Sequence, residues 1–480
     1  MKIHGSRKTI FDISSIIEYL SHHPHYSGIQ RVVAMILSEY QKLEGSNKDI
    51  WLSFLHPSRK EHLAINLNQF NDNIFTSPEN VRDFFQQLGV IPKGPHHLLN
   101  KYFNNKIKYY FHRTRYDIAS LFKHQKTFNK RGLTSNDWKT IRKTPVSLPL
   151  PIKQLNEIAA PKDQFVLLDS TWEKRHIKAF KTAKSLDLTV FTLVYDLIPI
   201  VVPGVAPNGM VEAFGRWIIQ STEYTDFYMA ISKYTAEETV SYLNQYKRNL
   251  TVDVLPLTQT RVPITPFESK KRFDEDDFTP LPTELQMFEG VSELCRSLLN
   301  DKFVLHVGTI EIRKNTWRLA LAWKKLLDEG HTDLPRLVFA GRRGWMNERF
   351  FDLLQATGNL YGYVTIIDRV SDAELELLYK HCLFASMVST YEGWGLPVGE
   401  ALSYGKTAVV SNTTSLPEVG MDLVEYCDPL SVDSIADAAR RLIYEPEHRE
   451  SLEKRIKMTR LRDWADVAHD LKHILDTNQQ

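Results

Sequence analysis

The sequence predicts an α/β protein with two doubly wound domains. Short apolar runs alternate with amphipathic stretches along nearly the whole chain, a pattern typical of parallel sheets whose strands are joined by helices. A chain of 480 residues exceeds one ordinary domain, and 42% hydrophobic with 25% charged residues suits a globular protein with sizeable cores.

In the first half, five apolar runs are predicted as strands and two stretches have helical periodicity. The strands are Ile50–Leu55, Phe165–Asp169, Val190–Tyr195, Phe227–Ile231 and Val252–Leu257, and the helices are Ile29–Leu43 and Thr235–Tyr246. We place an N-terminal domain at 1–265 and a linker at 266–290, where proline and charge are frequent.

The second half alternates more cleanly, and a second domain is placed at 291–458. Its predicted strands are Phe303–Val307, Leu337–Ala340, Val364–Ile367, Leu383–Met387, Ala408–Ser411 and Leu423–Tyr426. Its predicted helices include Trp317–Leu327, Asp372–His381 and Val432–Tyr444, the second of which follows a Ser371/Glu374 capping box. Ligands of such domains bind at the carboxyl ends of the strands.

Residues 459–480 are predicted to form a final amphipathic helix. Leu461, Trp464, Val467, Leu471 and Ile474 recur at helical spacing on one face. This face either completes the second domain or packs elsewhere.

Several classes of protein are excluded or disfavoured. Cys295, Cys382 and Cys427 are far apart in the sequence and form neither a disulfide framework nor a zinc pattern, which favours a reducing compartment. No stretch approaches 18 uninterrupted apolar residues, and the first 15 residues lack the apolar core of a secretory signal. We therefore expect a cytoplasmic protein.

The chain has a net charge of only +2 but contains one strongly basic segment. Residues 93–143 hold thirteen Lys or Arg and two Asp, a net charge of +11, which leaves −9 for the rest of the chain. Tyr, Phe and His are interleaved with these cations, inside an insertion at about 85–150. The pattern suits an anionic membrane surface, a polyphosphate or a nucleic acid, or else a solvated helical insertion with a basic outer face.

The strongest motif is the segment 391–400, YEGWGLPVGE, between a predicted strand and a predicted helix. Gly393 and Gly395 allow close backbone approach, and Pro397 suits a first helical turn. Free amides at that helix start favour an anion, while Glu392 and Glu400 are acceptors that suit sugar hydroxyls.

Two further motifs at strand ends supply positive charge. In VGTIEIRKN (307–315), Arg313 and Lys314 precede Asn315, a predicted N-cap, so that both cations lie beside a helix start that suits a pyrophosphate. The third strand end is LVFAGRRGW (337–345). Each motif alone is weak, but three at strand ends of one domain indicate a binding site.

Residues 303–430 resemble the C-terminal domain of family-4 retaining glycosyltransferases of the GT-B fold. The resemblance is carried by VGTIEIRKN, LVFAGRRGW, VTIIDRVSDAELELLYKHC and YEGWGLPVGEALSYGKTAVVSNTTSLPEVG, the last of which looks like the E-x7-E motif. In the N-terminal half, FDISSIIEYLSHHPHYSGIQRVV and LVYDLIPIVVP are similar to bacterial polysaccharide glycosyltransferases. The resemblance implies two Rossmann-like domains facing across a cleft, with 459–480 crossing back to the N-terminal domain.

The resemblance also implies residue roles. Glu400 is expected to bind the ribose hydroxyls, and Glu392 is expected to bind the donor sugar. Lys314 and Arg313 are expected to bind the diphosphate leaving group. Glu392, Lys314 and Arg313 are the candidate catalytic residues. The other donor-binding candidates are Gly393, Trp394, Gly395, Leu396, Gly308, Thr309, Gly341, Arg342, Arg369, Val370, Ser27 and Gly28. The candidates on the acceptor side are Tyr195, Asp196 and Arg31.

Two positions depart from the family pattern. Thr309 stands where an arginine is frequent, and Tyr195 stands where several relatives have a histidine that contacts the donor sugar. Tyrosine still forms hydrogen bonds through its hydroxyl but carries no positive charge near pH 7.

The implied activity is a retaining hexosyl transfer from a nucleotide-diphosphate sugar, with GDP-mannose favoured by the IEIRKN form. The acceptor is a hydroxyl of a growing surface polysaccharide (O-antigen or capsule) or of a lipid-linked oligosaccharide. No metal or other cofactor is expected. The expected partners are the donor, the glycan acceptor and an anionic membrane surface contacted through 93–143, with peripheral attachment to the inner face of the cytoplasmic membrane and no nucleic acid.

Two alternatives stay open. An epimerase or sugar phosphorylase is disfavoured, because no strand leads into a G-x-G-x-x-G turn and no lysine-centred pyridoxal motif is evident. The second alternative is a GT-B protein that binds a nucleotide or glycan but has lost catalysis. The departures from the family pattern at Tyr195 and Thr309 favour this alternative, whereas the presence of both motif glutamates and of Lys314 argues against it.

Overall fold

Two β-sheets, one in each half of the chain, form the framework of the computed structural model. The structure describes residues 7–23, 25–44, 49–56, 61–70, 74–88, 90–91, 106–122, 124, 126–129, 138, 152–169, 172–207, 209–246, 252–261 and 291–478. The predicted linker at 266–290 and most of the basic insertion lie outside these residues.

The N-terminal sheet has eight strands in the order β4-β3-β2-β1-β5-β6-β7-β8. They are β1 (Thr9–Asp12), β2 (Ile50–Leu55), β3 (His62–Asn66), β4 (Lys153–Gln154), β5 (Gln164–Leu167), β6 (Thr189–Val194), β7 (Phe227–Ala230) and β8 (Val252–Val254). The pairs made by β3 are antiparallel, and the remaining pairs are parallel. The strand order reverses between β1 and β5, the point where open α/β sheets form ligand crevices.

Helices connect these strands. They are α1 (Ser14–His22), α2 (Gly28–Glu44), α3 (Pro78–Gln87), α4 (Lys106–Leu121), α5 (Lys126–Asn129), α6 (Leu155–Ile158), α7 (Lys174–Lys184), α8 (Ile198–Val201), α9 (Met210–Ser221) and α10 (Lys233–Gln245).

The C-terminal sheet has six parallel strands in the order β11-β10-β9-β12-β13-β14. They are β9 (Phe303–Val307), β10 (Arg336–Ala340), β11 (Val364–Ile367), β12 (Phe384–Met387), β13 (Ala408–Ser411) and β14 (Glu425–Cys427). Apart from the distorted turn Gly358–Tyr361, the helices are α11 (Glu293–Leu298), α12 (Thr316–Asp328), α13 (Glu348–Ala356), α14 (Asp372–His381), α15 (Leu396–Ser403), α16 (Leu416–Gly420), α17 (Val432–Tyr444), α18 (Pro446–Met458) and α19 (Trp464–Thr477).

Both faces of each sheet are covered, which explains the continuous apolar runs in the strands. In β1, Ile10 and Phe11 point to opposite faces and both are fully buried; in β9, Val304 and Leu305 do the same. The largest core cluster includes residues of both halves of the chain. The expectation of two doubly wound α/β units is therefore confirmed.

The last helix, α19, packs against α2 of the N-terminal half. Val467, Leu471 and Leu475 of α19 are fully buried. Beyond this apolar face, the Asn478 amide donates to Asp253 Oδ2 (2.8 Å). The C-terminal end of the chain is thus packed on the N-terminal sheet domain.

Most predicted strands and helices begin and end within two residues of the predicted positions. The strand predicted at Val252–Leu257 is an exception. It ends at Val254, because the chain that follows runs to the C-terminal half, where Thr258 O accepts a hydrogen bond from Trp394 Nε1. The sequence prediction misses β1, β3 and β4. β1 has only four residues, and in the antiparallel β3 only Ala64 and Ile65 are buried, so neither strand gives a long apolar run.

Candidate active site

Four loops of the candidate site meet because they follow four adjacent parallel strands, β11, β10, β9 and β12. The carboxyl ends of these strands share one edge of the sheet. Backbone hydrogen bonds join the loops: Gly308 N donates to Ala340 O (3.0 Å), and Gly341 N donates to Ile367 O (3.0 Å). The three motifs identified in the sequence thus lie side by side.

Arg313 and Lys314 are held in a short 3-10 turn that ends at Asn315, whose backbone is left-handed (φ 60°). The Asn315 side-chain amide donates to Val388 O (2.9 Å) and Pro429 O (2.7 Å). Asn315 therefore stands at the predicted N-cap position of α12, but the expected cap is not formed by its side chain. The side chain instead fixes the basic turn to the loop after β12.

A cluster of buried charges occupies the centre of the site. Lys314 Nζ and Arg313 Nη1 each lie 2.7 Å from Glu392 Oε1, and Arg313 Nη2 lies 2.6 Å from Glu311 Oε1. The four side chains are between 2% and 16% exposed. We call these four residues the buried ion cluster; two cations and two carboxylates make it neutral when all are ionised.

The cluster shifts the pKa values of its members. Burial raises the pKa of Glu392, but the charges of Arg313 and Lys314 outweigh burial and lower that pKa to about 2. Burial lowers the pKa of Lys314, while burial raises the pKa of Glu311. Burial also raises the pKa of Asp196, from the N-terminal domain, and the charge of Glu392 adds to that rise. Glu392 is therefore ionised near neutral pH.

Two hydroxyls fix the Glu392 backbone. Thr414 Oγ1 accepts from Glu392 N (3.1 Å), and Ser415 Oγ donates to Glu392 O (2.8 Å) and Trp394 O (3.0 Å). Thr414 has a positive φ of 55°. Neither residue is predicted from the sequence as part of the site, although both lie in the segment that carries the resemblance, because a Thr-Ser pair in a turn gives no signal by itself.

Gly393 and Gly395 are needed for close packing and for backbone conformation. A Cβ at Gly393 would lie 2.1 Å from Tyr195 O, which follows β6 of the N-terminal sheet. Gly395 has φ 116°, a conformation that other residues rarely adopt, and begins α15 at Leu396. The carboxyl ends of the two sheets therefore face each other and touch at Gly393.

Glu400 lies one turn into α15, where Tyr379 OH donates to its Oε2 (2.9 Å). Burial lowers the pKa of Arg261, but the charge of Glu400 counters burial and the net shift is upward. Arg261 Nη2 also contacts Asp372 Oδ1 (3.1 Å), and Arg31 of α2 reaches the same oxygen (3.2 Å). The sequence gives no sign that Arg261 belongs here, because it precedes the predicted linker.

Other contacts between the two halves surround the site. Trp394 Nε1 donates to Thr258 O (2.9 Å), and its side chain is buried. Glu418 accepts from the backbone N–H groups of Lys233 (2.8 Å) and Tyr234 (2.9 Å), at the start of α10. These contacts hold both sheets together around the buried ion cluster.

The remaining donor-side candidates lie on the same edge. Gly341 must be glycine, since a Cβ would lie 1.9 Å from Gly308 O, and the Thr309 methyl contacts Gly344. Arg342 is exposed; burial raises the pKa of Tyr19, and the charge of Arg342 lowers it in part. Arg369 is 85% exposed with φ 54°, whereas Val370 packs on the core.

The candidates of the N-terminal half are arranged around β5 and β6. Ser27 Oγ contacts the Gln30 side chain, and Gly28 begins α2 with open space where a Cβ would stand. Tyr195 OH donates to Leu168 O (2.8 Å), so this hydroxyl is bound within the N-terminal domain. Asp196 Oδ1 accepts from Ile198 N (3.0 Å).

Among the described residues, Glu18, Glu173 and His176 form the single group with spacing suited to a metal ion. Arg175 forms ion pairs with both carboxylates. Burial lowers the pKa of His176 to about 4. Arg175 thus offsets one of the two negative charges and already contacts an oxygen of each carboxylate.

Comparison with known proteins supports the interpretation of the motifs as those of a glycosyltransferase. Residues 296–459 match the family described as "Glycosyl transferases group 1". The chain is 28% identical over 245 residues to O-antigen chain mannosyltransferase B of Escherichia coli, a match that covers 51% of this chain and 58% of that protein. It is 30% identical over 173 residues to the serotype-specific mannosyltransferase WbdA of Escherichia coli, covering 36% of this chain and 21% of that protein.

Among solved structures, HepE of Anabaena in complex with UDP-glucose is similar with a TM-score of 0.54 at 12% identity, covering 98% of this chain and 100% of that chain. The complex of HepE with UDP and glucose has a TM-score of 0.52 at 11% identity, with the same coverage. At this identity the likeness concerns the fold, which is GT-B. The resemblance to glycosyltransferases of this fold is confirmed.

No helix in the described part of the chain is long and apolar enough to cross a membrane.

Replacing Gly393 by alanine tests the contact between the sheets. Its Cβ would clash with Tyr195 O, so we expect the two halves to separate locally, at a cost of about 1–3 kcal/mol, and the radius of gyration in small-angle scattering to increase. The control is Gly215→Ala within α9, where a Cβ meets nothing within 4 Å; we expect a gain of about 0.5–1 kcal/mol. Equal behaviour of both variants would contradict the contact.

Replacing Glu392 by glutamine tests the buried ion cluster. The variant leaves Arg313 and Lys314 without their shared partner, so we expect a loss of about 3–5 kcal/mol of stability at pH 7. The folded pKa of Glu392 lies at about 2, below its ordinary value of 4.5. Its stabilising contribution is therefore complete above about pH 4.5 and disappears as the pH falls towards 2.

The difference in melting temperature between wild type and Glu392→Gln should accordingly shrink between pH 7 and about pH 3. The matched control is Glu450→Gln on α18, an exposed residue for which we expect little change at either pH. A difference between wild type and Glu392→Gln that stays constant with pH would show that Glu392 is not ion-paired in the folded protein.

Proposed function

We propose that this protein is a hexosyltransferase that moves a sugar from a nucleotide-diphosphate donor to a glycan hydroxyl. The observation that carries the proposal is the buried ion cluster at the edge of the C-terminal sheet, beside the start of α15 and opposite the N-terminal sheet. Fixed cations at helix starts and strand ends suit a diphosphate. The matched family and the two mannosyltransferases of Escherichia coli support the same class.

In the proposed complex, Lys314 and Arg313 turn from Glu392 towards the diphosphate. Both are charge-assisted donors, and each already lies within hydrogen-bond distance of an anionic oxygen. Glu392, released from the ion pairs, accepts hydrogen bonds from sugar hydroxyls, while Glu400 with Tyr379 binds the ribose.

The proposed transfer retains the configuration of the sugar. The bond between the anomeric carbon and the phosphate oxygen breaks, the acceptor oxygen bonds to the same face of that carbon, and the acceptor proton passes to the leaving phosphate. Double displacement instead requires a carboxylate positioned as nucleophile. The proposed complex assigns both glutamates to hydroxyl groups, Glu392 to the donor sugar and Glu400 to the ribose, and leaves neither as a nucleophile, which favours front-face attack.

The charged side chains of the site indicate how it accelerates the transfer. While it is paired with Arg313 and Lys314, Glu392 has a pKa of about 2, so it is ionised when the donor binds and brings no proton for the leaving group. Lys314 and Arg313 therefore stabilise the departing diphosphate by charge, in a buried setting where fixed charges are most effective. We propose that these two cations replace the metal ion that other nucleotide-sugar chemistry uses.

We propose GDP-mannose as the donor and an O-antigen or other surface polysaccharide as the acceptor. The mannosyltransferase names of the two relatives and the IEIRKN segment support this choice. An acceptor attached to a lipid would place the enzyme at the inner face of the cytoplasmic membrane.

The donor base can be identified by a thermal-shift screen with GDP, UDP, dTDP and their sugars. A ligand at 100 times its Kd stabilises the fold by about 2.7 kcal/mol, which moves the melting transition visibly. We expect GDP and GDP-mannose to give the largest shift, and Glu400→Gln to remove it while Glu450→Gln retains it. A shift by none of the nucleotides would contradict the proposed function; a shift by UDP alone would change the donor but not the class.

Replacing Lys314 by methionine separates catalysis from folding. Removing one charge-stabilising donor costs about 10²–10³-fold in turnover. We expect that loss in a transfer assay, whereas Lys380→Met, which removes an exposed lysine paired with Glu376, should retain wild-type turnover. Melting temperatures of both variants report folding. A folded Lys314→Met variant with wild-type turnover would remove this residue from the mechanism, and a wild type that binds nucleotide without turnover would favour the decayed binding protein.

A further inference from the structure

Helix α4 (Lys106–Leu121), in the insertion of the N-terminal half, exposes large apolar side chains along one face. Six large apolar side chains of α4 and its last turn are between 49% and 84% exposed. They are Ile107, Tyr110, Phe111, Ile118, Leu121 and Phe122. Single exposed apolar residues are common on protein surfaces, but a cluster of this size marks an interaction surface.

These six residues share one side of the helix. At 3.6 residues per turn, positions 107, 110, 111, 118, 121 and 122 fall within about a third of the circumference. We call this face the apolar stripe. The opposite side is buried: Tyr116 and Ala119 pack in a small core with Phe128 and Trp138. One face of the helix is thus buried within the insertion, and the other is exposed.

Cations lie beside the apolar stripe. On the helical circumference, Lys108 and Arg115 lie on one flank; on the other flank Arg113 lies beyond Asp117, whose carboxylate accepts a hydrogen bond from Trp138 Nε1 (3.0 Å). Lys108 and Arg115 are exposed, and Arg113 is half-buried. The helix carries four Lys or Arg and one Asp, within the segment of net charge +11. An apolar face bordered by cations is the pattern of helices that lie in the plane of a membrane surface.

We propose that α4 docks this protein on an anionic lipid bilayer, with the apolar stripe buried at the boundary of headgroups and acyl chains. Lys108, Arg113 and Arg115 then reach the phosphate level, since long cationic side chains keep their heads in the polar layer while their stems contact lipid. An anionic bilayer matches both features at once, the apolar face and the positive charge. The inference does not depend on the donor or on the reaction.

Vesicle co-sedimentation of the full-length protein tests the proposal. The vesicles contain phosphatidylcholine alone or phosphatidylcholine with phosphatidylglycerol, at low and at high salt. We expect binding to the anionic vesicles at low salt, and much weaker binding to neutral vesicles or at high salt. Equal binding to neutral and anionic vesicles would overturn the proposal.

Two double variants assign the binding to α4. Phe111→Ser with Phe122→Ser should weaken binding at least tenfold, by removing inserted area. Lys108→Gln with Arg115→Gln should weaken it about fivefold for each cation. Because all four side chains are exposed, we expect both variants to keep the wild-type melting temperature.

Matched controls change the same chemistry elsewhere. Met458→Ser with Leu430→Ser removes exposed apolar side chains, and Lys174→Gln with Lys178→Gln removes exposed cations of the N-terminal half. We expect both controls to bind like wild type. Stripe variants that keep wild-type binding to anionic vesicles would overturn the proposal. A loss of self-association in sedimentation velocity, with vesicle binding unchanged, would assign the stripe to a second copy of the chain instead.

Discussion

The balance of charge between Arg313, Lys314 and Glu392 is the interaction on which the rest of the site depends. Two cations held within 2.7 Å of one carboxylate oxygen in a buried setting are stable only while the carboxylate stays ionised. The turn ending at Asn315 fixes the cations, and the hydroxyls of Thr414 and Ser415 fix the backbone of the glutamate. A ligand that takes over the cations must therefore bring equivalent negative charge, as a diphosphate does.

Contacts between the two halves of the chain place this cluster at a junction rather than on an open surface. Gly393 touches the Tyr195 backbone, Glu418 caps the start of α10, and α19 packs on α2. The site thus combines an edge of the C-terminal sheet with groups of the N-terminal sheet, including Asp196. Burial raises the pKa of Asp196, while the charge of Arg313 lowers it and that of Glu392 raises it, so this acid of the N-terminal half responds to the same cluster.

Much of the fold and of the candidate site could be predicted from the sequence, because apolar runs indicate buried strands and Gly-rich turns indicate where these strands end. The strands β9, β11 and β13 are predicted with the observed bounds, the expected cations Arg313 and Lys314 follow β9, and the expected glutamates Glu392 and Glu400 follow β12. The ion pairs of Lys314 and the contacts of Arg261 could not be predicted, since they depend on side chains brought together by the fold. Likewise, the sequence located the basic segment, but only the exposure of Phe111 and Phe122 identifies an outward apolar face.

The central claim is that Arg313 and Lys314 bind the terminal phosphate of a nucleoside diphosphate, and isothermal titration measures this most directly. Wild type and Lys314→Met are titrated with GDP and with GMP. Two charge-assisted hydrogen bonds to the extra phosphate are worth about 3 kcal/mol or more, so GDP should bind wild type at least about a hundredfold more tightly than GMP. In Lys314→Met that ratio should fall to about tenfold. Measurable but equal affinities of wild type for GDP and GMP would contradict the account.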